Sequence, residues 1–236
     1  MNKLLLIALL IVGCDNSTEP QAEECVGVSD GTAVADIDGN CYATVRLGSQ
    51  LWMAENLKVT HYQDSTSIPT EFSDEEWCEI EIGAYSVFPD SISYSYSAIY
   101  GNLYNWYAIK DSRGLCMEGW HVATWEEFSI LRDFLGGYEV AAGKMKTSGT
   151  DYWYSPNTGA TNESGFSALP GGHRQGGFGS LDGKFFGLGE YAMFWLPGNN
   201  FLHPWVCSLS HINSLFNCFW NANYEDDGLS IRCLKD

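Results

Sequence analysis

Positive charge is scarce in this chain. Lysine and arginine number 12 against 30 aspartates and glutamates, a formal charge of −18. So acidic a surface repels phosphate backbones, which excludes nucleic acid as a partner. The acidity instead aids solubility or attracts cations. Cysteines spaced C-x-x-C are absent, so a zinc knuckle or a thioredoxin-like site has no support. The glycine-rich run from Gly165 to Gly179 lacks the Gly-Lys-Ser/Thr end of a phosphate loop, and its glycines suit tight turns instead. No Ser/His/Asp set or paired-carboxylate motif stands out by spacing. No apolar run is long enough to span a bilayer.

The one long apolar run opens the chain. Met1-Asn2-Lys3 is a short basic stretch, and Leu4 to Val12 is nine unbroken apolar residues. As a helix it falls well short of a hydrocarbon core about 30 Å thick, but it fits a secretory signal. Ile11-Val12-Gly13-Cys14 resembles a bacterial lipobox, so residues 1–13 read as a signal and Cys14 as a lipid-anchored N-terminus. Loss of Lys3 with the signal shifts the charge to 11 − 30 = −19. Residues 14–32 then form a polar, acidic tether that cannot bury a core. The expected address is the cell envelope, with the bilayer as partner. Asp15 resembles an inner-membrane retention signal, which would leave the protein on the periplasmic face. The acid-rich tether resembles a surface-export signal, and the outer membrane or cell surface is favoured.

About 220 residues remain, with 45% hydrophobic content, enough for one domain over residues 33–236. Ala33 to Ile37 and Cys41 to Leu47 flank Asp38-Gly39-Asn40, a hairpin signal. Thr124 with Glu127 forms a capping box, and Trp125, Phe128, Leu131 and Leu135 give a helical stripe ended by Gly136-Gly137. A second helix is expected over Gly101 to Lys110. The fold class is α+β, with short antiparallel strands, about two main helices and long loops.

Eight cysteines are present. With Cys14 taken by lipid the remainder is odd, so at least one thiol is free or pairs between molecules. The pairing of Cys25, Cys41 and Cys78 is left open. Pro204 to Ser210 and Leu215 to Asn221 read as a hairpin about Ile212-Asn213, so opposed residue numbers sum to 425. Cys207 then faces Cys218, Leu209 faces Phe216 and Trp205 faces Trp220, all apolar pairs on one face. A Cys207–Cys218 bridge is expected if the pair is a close one. Trp205 and Trp220 either pack in the core, the favoured reading, or form a platform for a sugar ring.

Several motifs are similar to those of the Fibrobacter succinogenes major paralogous domain. They are Asp36-Ile37-Asp38-Gly39-Asn40, Trp52-Met53-Ala54-Glu55-Asn56-Leu57, and Gly101-Asn102-Leu103-Tyr104-Asn105-Trp106-Tyr107-Ala108. Further along come Cys116-Met117-Glu118-Gly119-Trp120-His121, Gly165-Phe166-Ser167-Ala168-Leu169-Pro170-Gly171-Gly172-His173-Arg174, and the closing Gly228-Leu229-Ser230-Ile231-Arg232-Cys233. They keep family order over roughly 200 residues. The chain departs at Met117, where the family has proline, and at Ala192-Met193-Phe194-Trp195, where many members have Trp-Trp-Ser-Ser. The family resembles the C-type-lectin-like fold, which formylglycine-generating enzymes also use, and its members are secreted or lipid-anchored bacterial surface proteins. That resemblance implies a Cys116–Cys233 bridge, because the terminal strand returns beside the early part of such a fold. It also implies a calcium site near Asn221, Asn223, Glu225, Asp226 and Asp227. A solvated turn there is favoured, and no other cofactor is implied. Formylglycine-generating enzymes need a Cys-x4-Cys pair; here Asn223 follows Cys218, so the pair is broken.

The remaining candidates have bland readings beside the functional ones. Asp36-x-Asp38-Gly39-Asn40 lacks the glycine and glutamate places of a calcium loop and reads as a turn. Arg174 holds loop carbonyls or a carboxylate, or else clamps a ligand. His121 has no nucleophile to serve and reads as structural, donating to a backbone carbonyl. The favoured function is a noncatalytic, surface-anchored lipoprotein module that binds a glycan or a protein. The alternatives are a structural envelope protein without a small ligand and, less favoured, an oxidoreductase related to formylglycine-generating enzymes. The Cys14→Ala variant is expected to lose lipid labelling and leave the membrane fraction; its retention after a carbonate wash would overturn the anchor.

Overall fold

The computed structural model describes residues 33–89, 93–177, 183–198, 204–220 and 225–236. The signal, Cys14 and the tether lie outside the described residues. In chain order the elements are β1 (Ala33–Ala35), β2 (Cys41–Leu47), β3 (Gln50–Met53), α1 (Asp74–Trp77), β4 (Tyr85–Ser86), α2 (Ser93–Tyr100), β5 (Leu103–Tyr104), α3 (Trp106–Lys110), β6 (Trp120–Val122), α4 (Trp125–Phe134), α5 (Ala141–Met145), β7 (Gly171–Arg174), β8 (Phe185–Leu188), β9 (Tyr191–Pro197), β10 (Pro204–Ser210), β11 (Asn217–Trp220) and β12 (Cys233–Lys235).

They form two five-stranded sheets, ordered β1-β2-β3-β12-β6 and β11-β10-β9-β7-β8, and a separate β4-β5 pair. Pairing among these strands is antiparallel except between β7 and β9. The architecture is mixed helix and sheet. The last strand, β12, enters between β3 and β6, so the two ends of the described chain share a sheet.

The first hairpin forms because its turn satisfies itself. The Asp36 carboxylate accepts from the backbone N–H of Asp38 at 3.0 Å and of Asn40 at 2.9 Å. Gly39 takes φ +79°, a conformation that costs a glycine little. Helix α4 starts at the expected capping box: the Thr124 hydroxyl accepts from Glu127 N–H, and the Glu127 carboxylate accepts from Thr124 N–H. Its inward face buries Phe128 and Leu131.

The helix expected over Gly101 to Lys110 is shorter than that. Leu103–Tyr104 is strand β5, paired with β4, and only Trp106–Lys110 is helical. Residues 101 to 106 are all buried, so the segment has no exposed face to give it helical amphipathicity. Asn105 begins the helix, accepting from the N–H of Ala108 and also of Ala84.

The sheets lie between two apolar clusters. One gathers Tyr42, Met53, Trp106, Trp120, Trp195, Val206 and Ile231. The other gathers Trp52, Phe128, Trp153, Phe166, Phe194, Cys207 and Leu234. Alternating side chains of β3, β9, β10 and β12 thus enter opposite cores, which is why these strands read as nearly continuous apolar runs.

Cys116 and Cys233 are bridged across 117 residues, a closure that the chain-entropy model values at about 4–5 kcal/mol. Cys41 is also disulfide-bonded. In the β10-β11 pair Cys207 opposes Cys218 and Trp205 opposes Trp220, the expected register. The expected bond between the two sulfurs is nevertheless absent, and both are thiols. Register sets the opposition of two Cβ atoms, whereas bonding needs a closer approach than an ordinary pair provides.

His121 does not donate to a backbone carbonyl as expected. It stands between two carboxylates, with Nε2 2.8 Å from Glu127 and Nδ1 2.6 Å from Asp236. The Glu127 hydrogen bond is the main influence raising its pKa from 6.5 to about 9, against partial burial, and Asp236 adds to it. The imidazolium therefore joins the cap of α4 to the last residue of the chain. Its stabilising contribution is complete below pH 6.5 and is lost as pH rises through about 9. Lys146 works oppositely, because burial lowers its pKa from 10.5 to about 8 and high pH relieves that cost. Denaturant unfolding of wild type and His121→Gln should show a stability difference that shrinks between pH 6.5 and 9; a difference constant over that range would overturn the assignment.

Candidate functional site

Three cations are withdrawn from the surface, and each holds loops by their carbonyl oxygens. Arg232 is 2% exposed. Its Nε donates to Asn56 Oδ1 at 2.7 Å, one terminal nitrogen to the carbonyls of Met53 and Phe166, and the other to that of Ser167. Burial pulls its pKa down to about 9, which leaves it charged at neutral pH. Lys146 is 0% exposed and donates to the carbonyls of Thr158, Ser210 and Asn213 at 2.7–2.9 Å. Three acceptors match the three N–H bonds of an ammonium group, so the geometry fits the charged form that burial disfavours.

Arg174, at 3% exposure, is among the residues that line a cleft. Its Nε donates to Gly183 O, and one terminal nitrogen reaches Phe72 O and Ser73 O at 3.0 Å. The guanidinium lies over the rings of Trp77 at 4.4 Å and Phe185 at 4.8 Å. Asp74 stands 3.5 Å away. Burial lowers the Arg174 pKa, and Asp74 opposes that effect. Gly183, at φ +74°, could carry no side chain, since a Cβ would run into the Asp74 backbone. That close approach brings the Gly183 carbonyl to the arginine.

The cleft has a volume of about 800 Å³. Its walls come from separate parts of the chain. The β1-β2 turn gives Asp38, the segment after β3 gives Lys58 and Thr60, the loop before α1 gives Glu71 and Phe72, and β4 gives Tyr85 and Ser86. Asp38 is already engaged: its carboxylate accepts from Thr60 N–H and Oγ1 and contacts His61 Nδ1 at 2.6 Å. Burial raises the pKa of the Tyr85 hydroxyl. The Ser86 hydroxyl is buried, 4% exposed as a residue, and its oxygen has no hydrogen-bond partner. The lining therefore combines three aromatic rings (Phe72, Tyr85 and Phe185) with hydroxyls, carboxylates and amides, the mixture that a polar ligand with apolar faces requires.

The profile of the Fibrobacter succinogenes major domain matches residues 45–235. The chain belongs to that family. No curated protein and no solved structure matches it. The family motifs converge on structure: Met53 and Asn56, Phe166 and Ser167, and the terminal segment all meet at the Arg232 guanidinium. Asn56 extends the same network to the Tyr100 carbonyl and the Ser230 hydroxyl.

The other sequence candidates of this family domain are dispersed. Trp205 is partly buried against Trp125, ring centres 5.4 Å apart, so its ring packs at the edge of a core. The side chain of Trp220, and Asn221 and Asn223, lie outside the described residues. The carboxylates of the expected calcium set have other partners. Glu225 pairs with Lys110 at 3.0 Å, Asp226 accepts from Gly177 N–H and Asp227 from Gly176 N–H. Among the described residues no three His, Cys, Asp or Glu side chains are grouped to hold a metal. Arg174, weighed as a ligand clamp, is occupied by backbone carbonyls. The cleft, Ser86, Lys146 and Arg232 were not singled out from sequence. A lone lysine or arginine carries no local signal of burial, and Arg232 stands out only through its apolar neighbours Ile231 and Leu234.

Arg174→Met should lower unfolding stability by about 3 kcal/mol, from three buried carbonyls left unpaired at roughly 1 kcal/mol or more each. Denaturant unfolding tests this; an unchanged midpoint would free Arg174 for a ligand role.

Proposed function

We propose that this family domain is a noncatalytic cell-envelope module, anchored by lipid on Cys14, that binds a glycan in the cleft that Arg174 lines. The observation that carries the reading is the cleft's lining: three aromatic rings beside hydroxyls, carboxylates and amides. Aromatic faces stack on the C–H faces of sugar rings, and the polar groups exchange hydrogen bonds with sugar hydroxyls. The family's resemblance to the C-type-lectin-like fold supports a binding module by fold analogy alone. Two of the charged groups that line the cleft are already engaged, which supports the noncatalytic reading. Asp38 is held by Thr60 and His61, and Arg174 by carbonyls, which leaves neither poised as a base or clamp. The oxidoreductase alternative is not favoured, since Cys218 faces Cys207 across the sheet rather than a cysteine five residues on.

The test is a glycan array and affinity electrophoresis in polysaccharide gels, using the Cys14→Ala chain. Wild-type sequence in the cleft should retain at least one glycan. Tyr85→Ala should weaken that binding about tenfold, from roughly 1–1.5 kcal/mol of lost stacking. Trp205→Ala should lower stability and leave binding intact. Absence of any retained glycan, or binding unchanged in Tyr85→Ala, would sink the proposal.

A further inference from the structure

The second sheet carries two thiols outside the cleft and its supports. Cys207 on β10 and Cys218 on β11 are register partners, and both are reduced. Their environments differ. Cys207 is 0% exposed in the second core, whereas Cys218 is partly exposed and packs against the edge of that core. The Cys207 thiol lies within hydrogen-bonding reach of Cys218, and the main effect on it is burial, which raises its pKa. Arg132, in the last turn of α4, is close enough to interact with both sulfurs. The partly exposed Cys218 sulfur is the one a dissolved disulfide can reach, and its buried neighbour is placed to follow it.

We propose that Cys207 and Cys218 form a reversible thiol–disulfide exchange site that takes a small-molecule disulfide as oxidant. The Cys218 thiolate attacks one sulfur of the disulfide, whose S–S bond breaks and expels one thiolate. Cys218 now carries the other half as a mixed disulfide. The Cys207 sulfur, losing its proton to the departing group, attacks Cys218 and expels the second thiolate. Two cysteine thiols have given up two electrons and two protons, and the small disulfide has become two thiols. A dithiol reductant reverses the sequence.

Strand geometry makes the closed form easy to reopen. Directly opposed Cβ atoms sit about 4.5–5.5 Å apart, and a relaxed bridge wants roughly 3.5–4.5 Å. Closure draws β11 inward onto β10, and a bridge made under that constraint is more reducible than a relaxed one. Because β11 is the outer strand of its sheet, the bond would pin that edge. The Cys116–Cys233 bridge, with both residues buried, serves as the internal reference.

The experiment equilibrates the full chain in glutathione buffers from fully reduced to fully oxidised, quenches with acid, alkylates and maps peptides by mass. Cys207 and Cys218 should pass from doubly alkylated to mutually linked across the series, with Cys116–Cys233 linked throughout. The Cys207→Ser variant should trap a glutathione adduct on Cys218, and Cys218→Ser should leave Cys207 without one. Circular dichroism checks that both variants fold, and the wild-type titration stands without them. The proposal is overturned if the wild-type pair is alkylated at every ratio or linked at every ratio. An adduct on Cys207 in place of Cys218 would overturn the order of attack.

Discussion

A loop-rich domain must find donors for the carbonyl oxygens that its loops carry into the interior, and here three cations supply them. An unpaired buried carbonyl costs about 1–3 kcal/mol, so the need is severe. Arg174, Lys146 and Arg232 between them hold Phe72, Ser73, Gly183, Thr158, Ser210, Asn213, Met53, Phe166 and Ser167 by their backbones. Neutral dipoles replace counter-ions in this arrangement. A buried carboxylate partner would add a second desolvation cost, whereas a carbonyl is already desolvated and needs a donor. Aromatic faces complete each shell: Trp77 and Phe185 at Arg174, Trp153 at Lys146, and Phe166 and Phe194 at Arg232.

These anchors explain how distant segments come to share a site. The loop before α1 is tied to β7 and to Gly183 by Arg174, and the same tie joins residues that line the cleft. The β1-β2 turn reaches the cleft because Asp38 is fixed on Thr60 and His61. Asn102 closes the adjoining corner, donating to the Lys58 carbonyl and accepting from Ser97. The cleft is thus a by-product of interactions that first serve the fold, and its shape follows from where the guanidinium sits.

Local signals were legible in the sequence, and distant ones were not. The capping box of α4, the Asp36 turn and the β10-β11 register each depend on residues a few places apart, and each appears where the pattern put it. The segment from Gly101 to Asn105 misled because Leu103, Trp106 and Tyr107 have helical spacing. Complete burial of residues 101–106 removed the polar face that would have given meaning to that spacing. The thiols show the limit of register arguments, which place side chains opposite one another without saying whether a bond closes. The cleft could not be read at all, since its walls come from stretches as far apart as Asp38 and Phe185, which only the folded chain brings together.

The scarcity of positive charge acquires a second meaning in this light. Among the described residues three lysines and arginines are spent inside, where Asp74 stands 3.5 Å from Arg174 and Glu55 acts on Arg232. The surface is therefore more acidic than the net charge implies, and the remaining cations are correspondingly valuable. Lys110 with Glu225, Arg113 with Asp111 and Lys144 with Glu163 each use one of them on the exterior. Exposed pairs of this kind contribute little individually and are screened by salt. The buried cations are screened much less, because their partners are dipoles in the interior rather than charges in water. Raised ionic strength should then relieve repulsion among the surface carboxylates more than it weakens any attraction the fold depends on.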